Sequence, residues 1–119
     1  MNILFLLLSL LTFIAMGANA NLFVAWNILP IVFVAIVYNK TDFKGALKSS
    51  VFHMILGTTL LHIVFHTVMY FDIGKAATGS STAALGYIFF PIHAMLFGGL
   101  VYLLSKAITF ICVKPIQRE

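Results

Sequence analysis

Charge is what this sequence has least of. Seven Lys or Arg and three Asp or Glu make up 8% of its 119 residues, where a soluble globular domain carries about a quarter. Such a polar inventory cannot coat a fold that faces water, and with 62% hydrophobic residues and a mean hydropathy of +1.10 the chain is built for lipid. Acid is the scarcer sign. Asp42, Asp72 and Glu119 all fall outside the long apolar runs, so a carboxylate relay at membrane depth cannot be assembled. A nucleophile–His–carboxylate triad has no acid to complete it. A phosphate-binding glycine loop is missing, and the bases are too few and too close to the apolar runs to make a nucleic-acid surface. On these chemical grounds the chain is not expected to be an enzyme. Its one cysteine, Cys112, excludes an internal disulfide and a thiolate cluster, and reads as a small apolar residue near an interface.

What the chain does have is apolar length. A membrane-spanning helix needs about 20 predominantly apolar residues, and four runs, at about 2–17, 21–39, 51–71 and 83–105, take up most of the sequence. Three short connections and a tail remain. The predicted fold is therefore all-α, an integral membrane four-helix bundle forming a single transmembrane domain over 1–119. The first run ends in Ala18-Asn19-Ala20, which has the pattern of a signal-peptide cleavage site. No Lys or Arg precedes the run, however, and an uncleaved first helix is the expectation, with Asn19 or Asn21 capping the second. In the third connection, Gly74 suits the end of helix three, and Ser80 or Ser81 the start of helix four. Pro30 and Pro91 lie inside runs and predict kinks. Trp26 suits a membrane–water interface.

The placement of the bases tests the threading. Lys40, Lys44 and Lys48 separate runs two and three, and Lys106, Lys114 and Arg118 end or follow run four. Lys75 alone separates runs three and four. Four crossings put the two clusters on one side of the membrane, and positive residues prefer the cytoplasmic side. Both termini are thus expected in the cytoplasm, with the protein in a cell's inner (plasma) membrane. If the Lys40, Lys44, Lys48 segment were helical, its basic edge would also favour anionic headgroups by about 1 kcal/mol per residue.

In lipid, polar side chains mark the faces that touch protein. At 100° per residue, Thr58, Thr59, His62, His66 and Tyr70 share an arc of run three, opposite Leu60, Val64 and Phe71. His53 begins that run on the other side and reads as an interfacial residue. Run four has two marked faces. One carries His93 with Phe89, Phe97 and Leu100; the other carries Ala94, Gly98 and Ser105, whose small side chains let a neighbouring helix approach closely. Either both faces are internal, or one meets a further subunit. Asn27 in run two could hydrogen-bond across helices, and Ser9 and Thr12 are the polar residues of run one.

His62 and His66 lie one turn apart, and antiparallel neighbours would bring His93 to the same depth. Three readings follow. A haem b could be held axially by His93 with His62 or His66. A Zn or Cu ion could be held by His62, His66 and His93, with Met69, Met95 or water as the fourth ligand; the segment lacks the glutamate of the H-E-x-x-H proteases. The preferred reading has no cofactor, the imidazoles being neutral and bonded to Thr58, Thr59, Tyr70 or a backbone carbonyl. Functionally the composition favours a small non-catalytic membrane protein acting through helix packing by Ala94, Gly98, Ser105, Asn27, Thr58 and Thr59. Besides the lipid bilayer, its partner would be another membrane protein or itself as a homo-oligomer, and an immunity-type protein against a membrane toxin fits the class. An oligomeric pore lined by Thr and His is a minor alternative.

Overall fold

The computed structural model of the chain describes residues 2–41, 49–79 and 82–113. They form helices α1 (Asn2–Ala15), α2 (Leu22–Lys40), α3 (Ser50–Tyr70) and α4 (Ala83–Val113), with a single 3-10 turn at Ile73–Lys75 and no strand among the described residues. The architecture is all-helical. Three helices, α2, α3 and α4, are long and apolar enough to cross a membrane, and α1 is a shorter apolar helix. With 14 residues, α1 is about 21 Å long at 1.5 Å per residue, less than the hydrocarbon core of about 30 Å.

The helix ends follow from local chemistry. After α1, the Gly17 amide donates to the Ile14 carbonyl at 3.0 Å and the Ala18 amide to Phe13 at 2.9 Å. This is the paired closure in which a left-handed residue stops a helix, and Gly17 supplies it with φ +88°. Asn21 then caps α2, its Oδ1 accepting from the Val24 amide at 2.9 Å. Helix α3 ends at Tyr70, four residues before the expected Gly74, because Asp72 takes the left-handed conformation with φ 50°, which a short polar side chain tolerates. Asp72 then organises the loop beyond it. Its Oδ1 accepts from the Ala77 amide at 2.8 Å and the Thr78 amide at 3.1 Å, and its Oδ2 from the Thr78 hydroxyl. The Thr78 hydroxyl first, then the amides, hold this carboxyl below its ordinary pKa. Helix α4 runs to Val113, well past the expected end near 105. Lys106 does not stop it, since lysine is a good helix former and its ammonium sits 5.7 Å from the Tyr102 ring centre. The candidate caps Ser80 and Ser81 lie outside the described residues, as do Asp42, Lys44, Lys48, Lys114, Arg118 and Glu119.

The four helices alternate in direction and form a flattened bundle. Helices α2 and α3 each touch all the others, whereas α1 and α4 occupy opposite corners and do not meet among the described residues. At the end away from the 17–21 turn, Phe5, Leu8, Ile31, Val34 and Ile55 make an apolar core, with Phe5 edge-on to Tyr38 at 5.9 Å. Polar burial is concentrated toward the turn end, where Thr12, Asn27, Thr59, His62 and His66 are all buried. Pro30 and Pro91 are buried inside continuous helices. Trp26, expected at an interface, ties α2 to α4 by donating from Nε1 to the Ile88 carbonyl at 2.8 Å. That carbonyl lies beside the one that Pro91 leaves without its helical donor.

Helices α3 and α4 share the most extensive contact, and it turns on two glycines. A Cβ on Gly98 would run into the Thr58 hydroxyl and stand 3.5 Å from Met54 Cγ, and one on Gly57 would stand 3.1 Å from Val101 Cγ2. Each helix thus presses a larger side chain into the other's glycine. Gly99, by contrast, has nothing within 4 Å of its notional Cβ. Overpacking of a tight contact costs about 1–3 kcal/mol, so Gly98→Val should lower unfolding stability by that amount in a fixed detergent. Gly99→Val should change it by less than about 1 kcal/mol. Equal effects of the two substitutions would refute the close crossing.

Candidate functional site

Helix α3 presents its polar arc to protein. Thr58, Thr59, His62 and His66 are buried, while Leu60, Val64 and Phe71 are more than half exposed. Tyr70, from the same arc, sits at the helix end and is 58% exposed. This division follows from the solvent: hydrocarbon offers hydroxyls and imidazoles no partner.

The centre of the arc is a histidine pair joined to α1. Thr12 Oγ1 lies 2.9 Å from the Leu8 carbonyl and 2.8 Å from His62 Nε2. A hydroxyl has one proton, and a carbonyl can only accept, so Thr12 donates to Leu8 and accepts from His62. The His62 proton therefore resides on Nε2. Nδ1 carries the lone pair of the neutral ring and has no partner among the described residues. The His66 ring stacks on that of His62 at 4.3 Å with an interplanar angle of 18°, and its only polar neighbour among the described residues is the His62 backbone carbonyl one turn earlier, which it approaches short of full hydrogen-bond geometry. Phe90 of α4 covers the pair, at 5.4 Å from His62 and 5.0 Å from His66. Phe65 stacks on Phe90 at 4.1 Å, and Tyr87 stands edge-on to His66 at 6.1 Å.

Between α1 and α3 the histidines border a cavity of about 300 Å³. Thr12, His62, His66 and Thr67 supply polar wall, Leu11, Ile14, Ala15 and Ile63 apolar wall, and no charged residue lines it. Toward the far end of the bundle the wall passes into the apolar core through Leu8, which belongs to both.

His93 is not part of this site. It is exposed, and its Nδ1 lies 2.9 Å from the Phe89 carbonyl one turn earlier. Since that carbonyl accepts, Nδ1 donates to it, and the side chain lies at the bundle surface, in a shallow groove that it lines with Leu61 and Phe65 of α3. The expected meeting of His62 with His93 is thus corrected, and the reason is rotational. Gly98 and Ala94 face inward, Ala94 being 0% exposed, and His93 stands 100° around from Ala94. The two faces of α4 therefore separate into an internal small face and an external His93 face. The axial haem pair is not formed, and Phe65, Phe90 and Tyr87 fill the region where α4 approaches the histidine pair. The three-imidazole metal set is not formed either. Stacked rings send their in-plane lone pairs along parallel planes, whereas a zinc ion needs nitrogens converging at about 2.0–2.1 Å. Among the described residues no group of three His, Cys, Asp or Glu could hold an ion.

The remaining candidates are placed as follows. Asn27 is fully buried, but its Nδ2 donates within α2 to the Phe23 carbonyl at 3.0 Å, so the expected bond across helices is not made. Its Oδ1 and the Thr59 hydroxyl are without partners among the described residues. Ser105 lies 2.8 Å from Nδ1 of half-buried His53, a link between α3 and α4 that the sequence reading of His53 missed. The Thr12 role was missed as well. Its signal was the spacing Phe5, Leu8, Thr12, which puts all three on the buried face of α1. No protein-family model, curated protein or solved structure matches the chain.

Proposed function

We propose that the chain is a small non-catalytic protein of a cell's inner (plasma) membrane that acts by packing against another membrane protein or a second copy of itself. One observation supports this above the rest. His93 lies about ten residues into a 31-residue apolar helix, hence roughly 15 Å from its start. It is exposed beside the exposed Phe89, Leu96, Phe97 and Leu100, with Nδ1 bonded to Phe89 and Nε2 the nitrogen left for a partner. A polar atom left unsatisfied in hydrocarbon costs several kcal/mol. A neighbouring helix that offers a hydrogen-bond donor at this depth removes that cost, and an immunity-type protein binding a membrane toxin is one member of this class.

The threading belongs to the same proposal. Four crossings with both termini in the cytoplasm agree with the lysine clusters. Helix α1, being short, then crosses with local thinning of the bilayer, and the 17–21 turn and the loop around Asp72 lie outside. Reporter fusions should read the 17–21 turn and Thr78 as external and a position after Glu119 as internal. A cytoplasmic signal from the 17–21 turn contradicts four crossings.

For the contact itself, the chain extracted in mild detergent should migrate as a complex, with itself or with a co-purifying membrane protein. A hydrogen bond between membrane helices is worth about 1–2 kcal/mol, so His93→Leu should weaken the complex roughly tenfold without lowering thermal stability of the single chain. A wild type that is monomeric throughout, or a complex indifferent to His93→Leu, overturns the reading.

A further inference from the structure

We propose that the cavity between α1 and α3 is a binding site for a neutral, membrane-dissolved lipophile bearing a hydroxyl group, whose head hydrogen-bonds to His62 and His66. The inference goes beyond the helix-packing role and does not depend on His93 or on any partner protein.

Two independent observations meet here. The cavity of about 300 Å³ is at the lower end of small-molecule sites, and it holds the space of roughly ten waters at about 30 Å³ each, enough for a single-ring head or a short stretch of chain. Its wall includes two histidines, 1% and 8% exposed, whose ring nitrogens lie just beneath the surface: Nδ1 of His62 has no partner among the described residues, and His66 is engaged only with the His62 backbone one turn earlier. Buried polar atoms of this kind cost free energy until something pairs with them. The torsion that turns a histidine ring is broad, and the His66 ring lies flat against that of His62, so ligand entry requires His66 to rotate, which frees its own nitrogens from the His62 backbone and uncovers Nδ1 of His62.

The wall also specifies the ligand. Without a charged side chain in the lining, an ion entering the cavity would lose its hydration uncompensated, so the ligand is neutral. Leu11, Ile14, Tyr70 and Phe71 at the rim are 51–69% exposed, which leaves an apolar tail free to remain in the bilayer. The donor pattern selects the head. Because Nε2 of His62 is committed to Thr12, Nδ1 can only accept, while neutral His66 offers one donor and one acceptor. A hydroxyl can donate to His62 and accept from His66. A carbonyl can only accept and would leave His62 Nδ1 unpaired.

The test uses the full chain in nanodiscs, titrated separately with decyl-hydroquinone, the corresponding quinone and decanol. The readout is the ring-nitrogen NMR shifts of His62 and His66. The proposal expects at least one hydroxyl probe to move the His62 Nδ1 signal saturably, with the quinone binding about tenfold or more weakly. Saturation by the hydroquinone alone assigns an aromatic head, and saturation by both hydroxyl probes assigns hydroxyl lipophiles generally. Ala15→Phe, which fills the cavity without touching a histidine, should abolish the saturable shift, and His93→Phe should leave it intact. Shifts that merely grow in proportion to partitioned probe, an isotherm unchanged by Ala15→Phe, or equal affinity for quinone and hydroquinone would each overturn the site.

Discussion

The close approach of Gly98 to Thr58 governs how this bundle is arranged. Two helices in lipid gain nothing from hydrophobic exclusion, so their association rests on packing and polar contacts, both of which demand proximity. At Gly98 a Cβ would collide with the Thr58 hydroxyl, and its absence lets α4 settle on α3 in one rotational setting. Gly57 receiving Val101 fixes the same setting from the other side. Once α4 is held this way, Ala94 and Phe90 turn inward and His93 turns outward. The histidines, which look equivalent by depth, acquire different environments from that single rotation.

A second constraint divides the bundle along its length. One end is closed by Phe5, Leu8, Ile31, Val34 and Ile55, and the polar residues collect at the other, where α1 reaches α3 through the Thr12–His62 hydrogen bond. Because α1 is short and lies at a corner of the bundle, little else fills the space beside it, and a cavity remains against the histidine pair. Packing that seals one half therefore leaves the other half able to accept a molecule. The external His93 face and the internal pair are chemically distinct, one on the outer surface of α4 and the other facing the space beside α1.

Much of the fold was legible because lipid enforces simple rules. Apolar runs marked the helices, and the alternation of Thr58, Thr59, His62 and His66 with Leu60 and Val64 marked the buried side of α3. Other features were not legible, for physical reasons. The end of α4 was misplaced because Lys106 looks like a boundary signal, although a lysine that lies along an aromatic ring is compatible with a continuing helix. Asp72 pre-empted Gly74 in ending α3, since either residue can adopt the left-handed conformation. Depth alone paired His93 with His62, but depth is set by position along an axis and says nothing of rotation about it. Rotation was encoded in Gly98 and Ala94, which were visible as a small face while their consequence for His93 was not. The contacts of Trp26 with Ile88 and of His53 with Ser105 depend on which helices are neighbours, which periodicity within one helix does not contain.

The account stands or falls on which side chains meet across the histidine arc of α3, and magic-angle-spinning NMR of the chain in lipid measures this directly. The arrangement derived from the Gly98 contact predicts a through-space correlation between the His62 ring and the Thr12 side chain, another between His62 and Phe90, and none between the rings of His62 and His93. A His62–His93 correlation with no contact to Thr12 would show that α4 sits in a different rotation and would contradict both the internal pair and the outward face.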